Sequence, residues 1–392
     1  MKKIILKAKR DASVRRFHPW VFSGGIAKEE EGLQDGDWVE VCSQKGEVLG
    51  MGHYQDGSIK VRLLAFQSLV PDVGFWQSKL QQALHYRKQL GLLDNPMTNC
   101  FRLVHGEGDG LSGLIIDIYD RTAVIQCHTV GMYKARERIA EALQSLDGLK
   151  LDTIYDKSAD TLPSEFTGAG PNEHLLGNAE QAEVKENGHT FQVNWVSGQK
   201  TGFFLDQRDN RALLGHYAKG KRVLNTFCYS GGFSIYALAN GAEKVDSVDV
   251  SAKAMALTEE NIALNPVESK AHTGITADVL KFLKETPTTY DLMVVDPPAF
   301  AKSIKKRHNA VQAYKRLNVS ALKQLEKGGI LFTFSCSQVV DKALFYHTIV
   351  AAGIEAGRSI RVMHHLSQPV DHPVNLFHPE GAYLKGLVLF VE

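Results

Sequence analysis

Three aspartates in this sequence each follow a predicted β-strand, which suits them to hold a ligand that carries hydroxyl or amino groups. The apolar run at 245–249 ends in Asp249, and the strongly apolar run at 290–295 ends just before Asp296. Asp278 follows the predicted strand between them. Because the carboxyl ends of parallel strands meet at one edge of a sheet, the three carboxylates are expected to line one site. A single aspartate after a strand is more often a turn or capping residue, so the prediction depends on the set.

The elements that must position these carboxylates begin with a strand, a tight turn and a helix at residues 223–239. Gly231 and Gly232 occupy the turn, and apolar residues at helical spacing follow them. Asp249 lies about twenty residues beyond the glycines, which is the spacing of a βαβ unit that binds a ribose. The glycines allow backbone N–H groups to approach a ligand, and the Asp249 carboxylate can accept both ribose hydroxyl protons. Phe203 is expected to pack near the edge of the same ligand.

Cys336 is the residue best suited to covalent chemistry on a nucleic-acid base. It lies at the carboxyl end of a predicted strand, the sheet edge at which ligands bind. Carbon 5 of a pyrimidine is a poor nucleophile, and addition of a thiolate to carbon 6 turns the ring into an enamine that can attack a methyl group. Asp296, if it faces the same pocket, could hydrogen-bond the amidine edge of a cytosine. The position fits a small buried apolar residue equally well, as most free cysteines are.

The aspartate series resembles that of class I S-adenosylmethionine methyltransferases, since Asp296 is followed by two prolines. The resemblance implies that Asp249 holds the ribose, Asp278 lies by the adenine amino group and Asp296 stands where the methyl acceptor enters. Pro297 has a fixed φ and no N–H, so it would stiffen a loop that holds a flat base. Nicotinamide-dependent enzymes need only the first of the three carboxylates.

Several motifs extend a closer resemblance over almost the whole chain: HPWVFSGGI at 18–26, TGFFLDQRDNR at 201–211, VLNTFCYSGGFS at 223–234, VDPPAF at 295–300, TFSCS at 333–337, DHPV at 371–374 and PEGAYLKG at 379–386. Together they resemble the RlmI-type family, bacterial enzymes that make 5-methylcytosine in 23S ribosomal RNA. The resemblance implies S-adenosylmethionine as cofactor, Cys336 as nucleophile, and 23S ribosomal RNA or the large ribosomal subunit as partner. It also implies these cofactor-binding residues: Asn225, Phe227, Ser230, Gly231, Gly232, Asp249, Asp278 and Asp296.

Length and composition place these motifs in a multidomain globular protein. The 392 residues are too many for one ordinary core, and 44% hydrophobic with 23% charged residues is a globular composition. A net charge of +1 leaves nucleic-acid contacts to local patches. Five cysteines without a CxxC or a His/Cys cluster indicate neither a disulfide framework nor a bound metal. No signal peptide or membrane-spanning run is evident, which predicts a cytoplasmic protein with no membrane partner.

Three domains are predicted: a small β-barrel at 1–73, a central α+β domain at 74–187 and a catalytic domain at 188–392. Hairpin signals separate short alternating strands in the first domain, which resembles the RNA-binding PUA domain. The catalytic domain is expected to be an α/β, Rossmann-like sheet whose last strand is antiparallel, as the methyltransferase resemblance implies. Residues 158–180 are expected to form a long loop, because they are rich in Gly, Pro, Ser and Asn.

The candidate RNA contacts are four basic residues, Arg15, Arg16, Lys302 and Lys305, and one proline of the acceptor loop, Pro297. Cations beside aromatics can pair with phosphates and stack on bases, but Trp20 and Phe22 are expected to fill the barrel core instead. The basic run after the Asp-Pro-Pro loop fits a phosphate clamp or the solvated start of a helix equally well.

Two other functions stay open at this point. The enzyme could methylate a guanine or adenine nitrogen, which requires no cysteine, or the chain could be an RNA-binding scaffold without turnover. A homodimer also stays open.

Overall fold

The computed structural model describes residues 1–301 and 303–392, so the predicted RNA contact Lys302 lies outside the described residues. The chain forms two compact units. The first unit comprises Met1–Val184, Val193–Leu205 and Val370–Gly381. The second unit comprises Lys185–Gln192, Asp206–Pro369 and Ala382–Glu392. The chain therefore returns to the first unit twice after leaving it, while the three-domain division stays a prediction.

The first unit begins with a six-stranded sheet of order β2-β6-β5-β4-β1-β3. Its elements are β1 Lys2–Leu6, α1 Ala12–Arg15, β2 Trp20–Phe22, β3 Ile26–Glu29, β4 Trp38–Cys42, β5 Val48–Tyr54 and β6 Ile59–Ala65. Alternation in β4 buries Val39 and Val41 in its core, as the sequence pattern predicts. Phe22 is 46% exposed, so the prediction that it fills the core is wrong. Trp20 is half-buried, and its Nε1 donates to Glu107 Oε1 at 2.9 Å.

A five-stranded sheet of order β11-β10-β9-β8-β7 with two helices completes most of the first unit. The elements are α2 Val73–Gln89, β7 Cys100–His105, β8 Leu114–Tyr119, β9 Thr122–Cys127, α3 Val130–Gln144, β10 Thr153–Asp156 and β11 Glu173–Leu176. Asp72 caps α2 by accepting from Phe75 N, and the apolar face of this helix is buried. Met51 and Leu64 of the six-stranded sheet belong to the same hydrophobic cluster as the buried face of α2. Strand β11 lies within 158–180, so that region is not entirely loop; pairing with β10 overrides its polar composition.

The hairpin of β12 Gln181–Glu186 and β13 His189–Asn194 carries the chain between the units. The elements of the second unit are α4 Arg208–Ala218, β14 Arg222–Thr226, α5 Gly232–Ala239, β15 Lys244–Asp249, α6 Ala252–Ala263, β16 His272–Thr276, α7 Val279–Glu285, β17 Tyr290–Val295, α8 Arg307–Gln324, β18 Leu325–Ser335, α9 Lys342–Ala356, β19 Ile360–Leu366 and β20 Lys385–Val391. Residues 292–295 of β17 are all buried, as expected of a central strand with both faces covered.

The seven-stranded sheet of the second unit has the order β16-β15-β14-β17-β18-β20-β19. Strands β14 to β18 pair in parallel, and β20 is antiparallel to both of its neighbours. The predicted α/β sheet with an antiparallel last strand is confirmed. The strand order reverses between β14 and β17, and ligands of such sheets bind in the crevice at that point. None of the helices among the described residues has the length and apolar character needed to cross a membrane.

Candidate active site

Sheet register brings the predicted catalytic residues to one edge of the second unit. Val295 pairs with Thr333 on neighbouring strands, so Asp296 and Cys336 follow that pair by one and three residues. On the other side of the reversal, Thr226 pairs with Val248, which places Asp249 beside the loop that follows β14. The carboxyl ends of β14, β15, β17 and β18 thus form a single edge.

Cys336 is the least buried cysteine of the chain and has acidic neighbours. The other four cysteines are buried, and Cys336 is half-buried. Burial raises the pKa of its thiol to about 11, and the carboxylates of Asp296 and Asp206 contribute to the rise. The ammonium of Lys385 acts in the opposite direction. The resting residue is therefore a thiol, and a base must remove its proton before the sulfur can attack.

Asp296 is held in a state suited to proton donation. Burial raises the pKa of its carboxyl to about 7, and the charge of Asp206 adds to this rise. Gln207 Nε2 donates to Asp296 Oδ2 at 2.9 Å, which fixes the carboxyl and partly offsets the rise. A carboxyl with this pKa is about half protonated at neutral pH, so it can give a proton to a ring nitrogen.

Asp206 is a second carboxylate of the site that the sequence did not reveal. Asp206 precedes α4, whose N-cap residue Gln207 makes no side-chain capping hydrogen bond, so Asp206 does not act as a helix cap. Instead the Tyr383 hydroxyl donates to Asp206 Oδ2 at 2.7 Å, while Asp206 Oδ1 is buried without a hydrogen-bond partner. The sequence places Asp206 in the TGFFLDQRDNR motif at 201–211. The motif alone does not indicate that this carboxylate lies near Asp296 and Cys336.

Lys385 is the second residue that the sequence did not assign to the site. It is 7% exposed, and its Nζ donates to the carbonyls of Ser337 at 2.7 Å and Tyr383 at 2.6 Å. Burial lowers the pKa of its ammonium to about 8. Lys385 begins the antiparallel β20, whose pairing with Ser335 places this cation beside the end of β18.

The loop after β14 has an unusual backbone. Phe227 and Tyr229 have φ values of +56° and +48°, which non-glycine residues rarely adopt. Asp249 stabilises this conformation, because its Oδ2 accepts from Tyr229 N at 3.2 Å and its Oδ1 from Ser251 N at 2.9 Å. Strained residues of this kind cluster at ligand sites, where the surrounding fold holds them in place.

The two glycines of this loop are required by packing within the protein. Gly231 has φ +73°, and a Cβ there would lie 2.7 Å from Thr258 Cγ2. A Cβ on Gly232 would lie 2.9 Å from Arg211 Cδ. Gly231 N already donates to a carbonyl within the loop at 2.8 Å. The expected role of the glycines in letting backbone N–H groups reach a ligand therefore has no support at Gly231.

The remaining predicted cofactor residues differ in exposure. Asn225 is buried, and its amide donates to Ser234 Oγ at 2.8 Å; Ser230 is also buried. Asp278 is exposed and caps α7 by accepting from Lys281 N at 2.9 Å. Phe203 is buried within the first unit. The cofactor contacts of these residues stay predictions.

The predicted RNA contacts differ in exposure and in whether they are already paired with carboxylates. Arg15 is paired with Asp11 at 2.8 Å and with Glu47, so a phosphate would compete with two carboxylates for it. Arg16 is exposed, and so is Lys305 in the short helical turn Ile304–Lys306. Pro297 is buried, whereas the next residue, Pro298, is exposed.

Comparison with known proteins agrees with this geometry. Residues 164–389 match the S-adenosylmethionine-dependent methyltransferase family, and residues 4–66 match the PUA-like domain. Proteins named ribosomal RNA large subunit methyltransferase I are similar over 98% of both chains. They include those of Alteromonas mediterranea at 40% identity and Shewanella denitrificans at 38%. The predicted family resemblance is confirmed.

Solved structures show the same fold over the full length of the chain. A candidate SAM-dependent methyltransferase from Streptococcus mutans aligns with a TM-score of 0.85 at 24% identity, covering 100% of both chains. A second structure, described as a candidate methyltransferase complexed with SAH, aligns with the same TM-score, identity and coverage. Together with the family match, these structures confirm the predicted fold class and the predicted cofactor.

Proposed function

The chain belongs to the ribosomal RNA large subunit methyltransferase I family of S-adenosylmethionine-dependent enzymes, and from this premise we propose that it methylates carbon 5 of a cytosine in 23S ribosomal RNA. The observation that carries the proposal is the half-buried thiol of Cys336 beside two carboxylates at the ligand-binding edge of the sheet. Methylation of a base nitrogen would need no such thiol, because the nitrogen already carries the attacking electron pair.

The residues around the loop after β14 fit the cofactor. Asp249 donates nothing and has lone pairs beyond those that accept from Tyr229 and Ser251, so its carboxylate can also accept the ribose hydroxyls. Phe227 and Ser230 would line the same loop, and Asp278 would receive the adenine amino group. When bound, S-adenosylmethionine supplies a methyl group on a positively charged sulfur.

We assign the first proton movements to the two carboxyls. The Cys336 sulfur bonds to carbon 6 of the cytosine while the thiol proton passes to Asp206, whose Oδ1 is free to accept it. Asp296 gives its proton to ring nitrogen 3, and the electrons of the ring double bond become available at carbon 5. Because the ring gains a proton as it gains the sulfur, no negative charge builds up on the ring, and the net charge of the two carboxyls is unchanged.

The adduct then breaks down by the reverse movements. After carbon 5 has taken the methyl group, its proton leaves to solvent and the bond between carbon 6 and sulfur breaks. Nitrogen 3 returns its proton to Asp296, and the sulfur recovers its proton from Asp206. One proton is released in each turnover, and Cys336 ends as the thiol from which it began.

The direct test is to trap the adduct. In RNA that carries 5-fluorocytosine, the fluorine on carbon 5 cannot leave as a proton does, so the bond to the sulfur should persist. We expect a band of protein joined to RNA on a denaturing gel for the wild type and for the control Cys42→Ala. Cys336→Ala should give no band and no methyl transfer. Full methyl transfer by Cys336→Ala would instead favour methylation of a guanine or adenine nitrogen.

Two measurements separate the enzyme from a scaffold and identify the base. Calorimetry should detect S-adenosylmethionine binding, whereas its absence would favour a non-catalytic RNA-binding protein. Mass mapping of ribosomal RNA from cells that lack the protein should show one 5-methylcytosine fewer in 23S RNA. An unchanged pyrimidine methylation pattern would contradict the proposal.

The exposure of each residue selects among the predicted RNA contacts, unit by unit. We propose that Arg16, Lys305 and Pro298 contact RNA, with Pro298 taking the place first predicted for Pro297 because only Pro298 is exposed. Arg15 would contact RNA only if a phosphate replaced the Asp11 carboxylate with which it is paired. This function places the protein in the cytoplasm with the ribosome. A homodimer stays a prediction that sedimentation of the full chain would test.

A further inference from the structure

A group of metal-ligating side chains lies in the first unit, and the methyl-transfer chemistry does not use it. His18 lies just before β2, whereas His378 and Glu380 lie in the 370–381 segment near the other end of the sequence. One ligand atom from each of the three lies within 4.8 Å of the other two. His18 Nε2 is 3.7 Å from Glu380 Oε1, and His378 Nε2 is 3.8 Å from Glu380 Oε2.

These separations are too long for hydrogen bonds and close to those of a metal site. A hydrogen bond from nitrogen to oxygen spans about 2.7–3.2 Å, so the three side chains do not satisfy one another. Bonds of about 2.0–2.1 Å from zinc to nitrogen and oxygen place neighbouring tetrahedral ligands about 3.4 Å apart. The two histidine–glutamate separations exceed this value by only about 0.4 Å.

His378 provides a second, independent observation. Its side chain is 2% exposed, and neither ring nitrogen has a hydrogen-bond partner among the described residues. The ring packs against Trp20, with 4.3 Å between the ring centroids, and this contact holds its orientation. Burying an imidazole without partners for its nitrogens is costly, and such groups are rare in native proteins. A metal ion at Nε2 would satisfy the buried polar atom.

His18 can present Nε2 as a ligand in one of its two tautomers. Its Nδ1 accepts from the backbone N–H of Trp20 at 3.2 Å and lies 3.3 Å from the carbonyl oxygen of the same residue. In the tautomer that carries its proton on Nδ1, His18 donates to that carbonyl, and the lone pair of Nε2 faces Glu380. Histidines that bind metals usually donate their second ring N–H to a carbonyl or carboxylate in this way.

From these contacts we propose that His18, His378 and Glu380 bind a divalent transition-metal ion, with zinc as the expected ion. Two imidazole nitrogens and one carboxylate are a ligand set typical of zinc, while magnesium and calcium prefer oxygen ligands alone. Glu380 has a half-exposed side chain, so water can complete the coordination. The ion joins the start of β2 to the 370–381 segment within the first unit. The sequence indicated no metal because its ligands come from opposite ends of the chain.

The test measures zinc on the full-length protein without reference to methyl transfer. After treatment with a chelator, the protein is equilibrated with buffered Zn²⁺, and bound zinc is counted by mass spectrometry. We expect one equivalent for the wild type and for the control His347→Gln, an exposed histidine of α9. His378→Gln and Glu380→Gln should each lose the bound zinc.

Two further readouts keep the result clear. Co²⁺ in place of zinc should give the visible absorption of a tetrahedral site in the wild type and not in Glu380→Gln, which changes only an exposed side chain and should fold. Zinc should raise the thermal midpoint of the wild type but not of this variant. A wild type that binds no stoichiometric zinc, or a Glu380→Gln variant that binds as much as the wild type, would overturn the proposal. Neither result depends on whether the chain methylates cytosine.

Discussion

Replacing Asp206 by asparagine removes one negative charge together with the proposed acceptor of the Cys336 proton. The overall rate should therefore fall, and the effect of the charge is seen in the pH dependence of the rate and in the reactivity of the thiol. Asparagine has nearly the same shape and keeps an oxygen to accept from the Tyr383 hydroxyl. The charge of Asp206 raises the pKa of both Asp296 and Cys336, so its removal should lower both values. Two opposite consequences follow for the proposed mechanism, which would use Asp296 as a proton donor and Cys336 as a thiolate.

The structure sets the size of the effect. The carboxyl of Asp296 has its pKa raised from 3.8 to about 7, with burial as the larger cause and Asp206 as the next. Assigning roughly one unit to Asp206 corresponds to about 1.4 kcal/mol, a reasonable value for a like charge in a partly buried site. The pKa of Asp296 should therefore fall in Asp206→Asn. At pH 8 its protonated fraction should be roughly tenfold lower than in the wild type, and at pH 5.5 the two should be similar.

The assay is single-turnover methyl transfer to large-subunit RNA prepared from cells that lack the protein, followed from pH 5.5 to 9. The decline in rate on the alkaline side should begin about one pH unit lower in Asp206→Asn. Alkylation of Cys336 by iodoacetamide at pH 8 should become up to about tenfold faster, because more thiolate is present. The control Glu285→Gln removes an exposed carboxylate of the same unit. It should change neither the alkaline decline in the methyl-transfer rate nor the rate of alkylation. An alkaline decline that stays in place, or slower alkylation, would refute the electrostatic assignment.

Three further substitutions test the supports of the site. Gly231→Ala should lower the free energy of unfolding by about 2–4 kcal/mol in urea, because it combines a left-handed φ with a close contact to Thr258. Gly220→Ala has a similar φ in open space and should cost only about 1 kcal/mol; equal losses would contradict the packing argument. Glu186→Gln should cost about 3–5 kcal/mol, because it strands the buried guanidinium of Arg211, whose Nη2 donates to Glu186 at 2.7 Å; a loss below 1 kcal/mol would contradict this. Lys385→Met should slow alkylation of the active-site thiol severalfold, and unchanged alkylation would show that its ammonium does not act on the sulfur.

Local patterns in the sequence were enough to place most of the sheet. Apolar runs and the turn residues that end them mark β15 and β17, so Asp249 and Asp296 could be predicted at strand ends before the fold was known. Cys336 follows in the same way from the apolar run of β18. These predictions depend on residues within about ten positions of each other, the range over which periodicity reports secondary structure.

The two charged residues that act on Cys336 and were not assigned to the site could not be predicted from such local patterns. Asp206 and Lys385 lie far from Cys336 in sequence, one before β14 and the other at the start of β20. The pairing of β18 with β20 brings Lys385 to the end of β18, and the Tyr383 hydroxyl, two residues before Lys385, donates to Asp206. The same reasoning explains why the 193–205 and 370–381 segments were not assigned to the first unit, since no change in composition marks where the chain returns.

The arrangement suggests how, in the proposed mechanism, a thiol with a high pKa would serve as a nucleophile. Asp206 and Asp296 both disfavour the thiolate of Cys336, which keeps the resting sulfur protonated and protects it from other electrophiles. The same repulsion between the carboxyls keeps a proton on Asp296, the one that ring nitrogen 3 must receive. A bound methyl donor adds positive charge near the sulfur and favours the thiolate, so the barrier to ionisation falls when both substrates are present. The acidic surroundings of Cys336, which at first argue against its proposed role, would therefore tie its activation to the binding of the methyl donor.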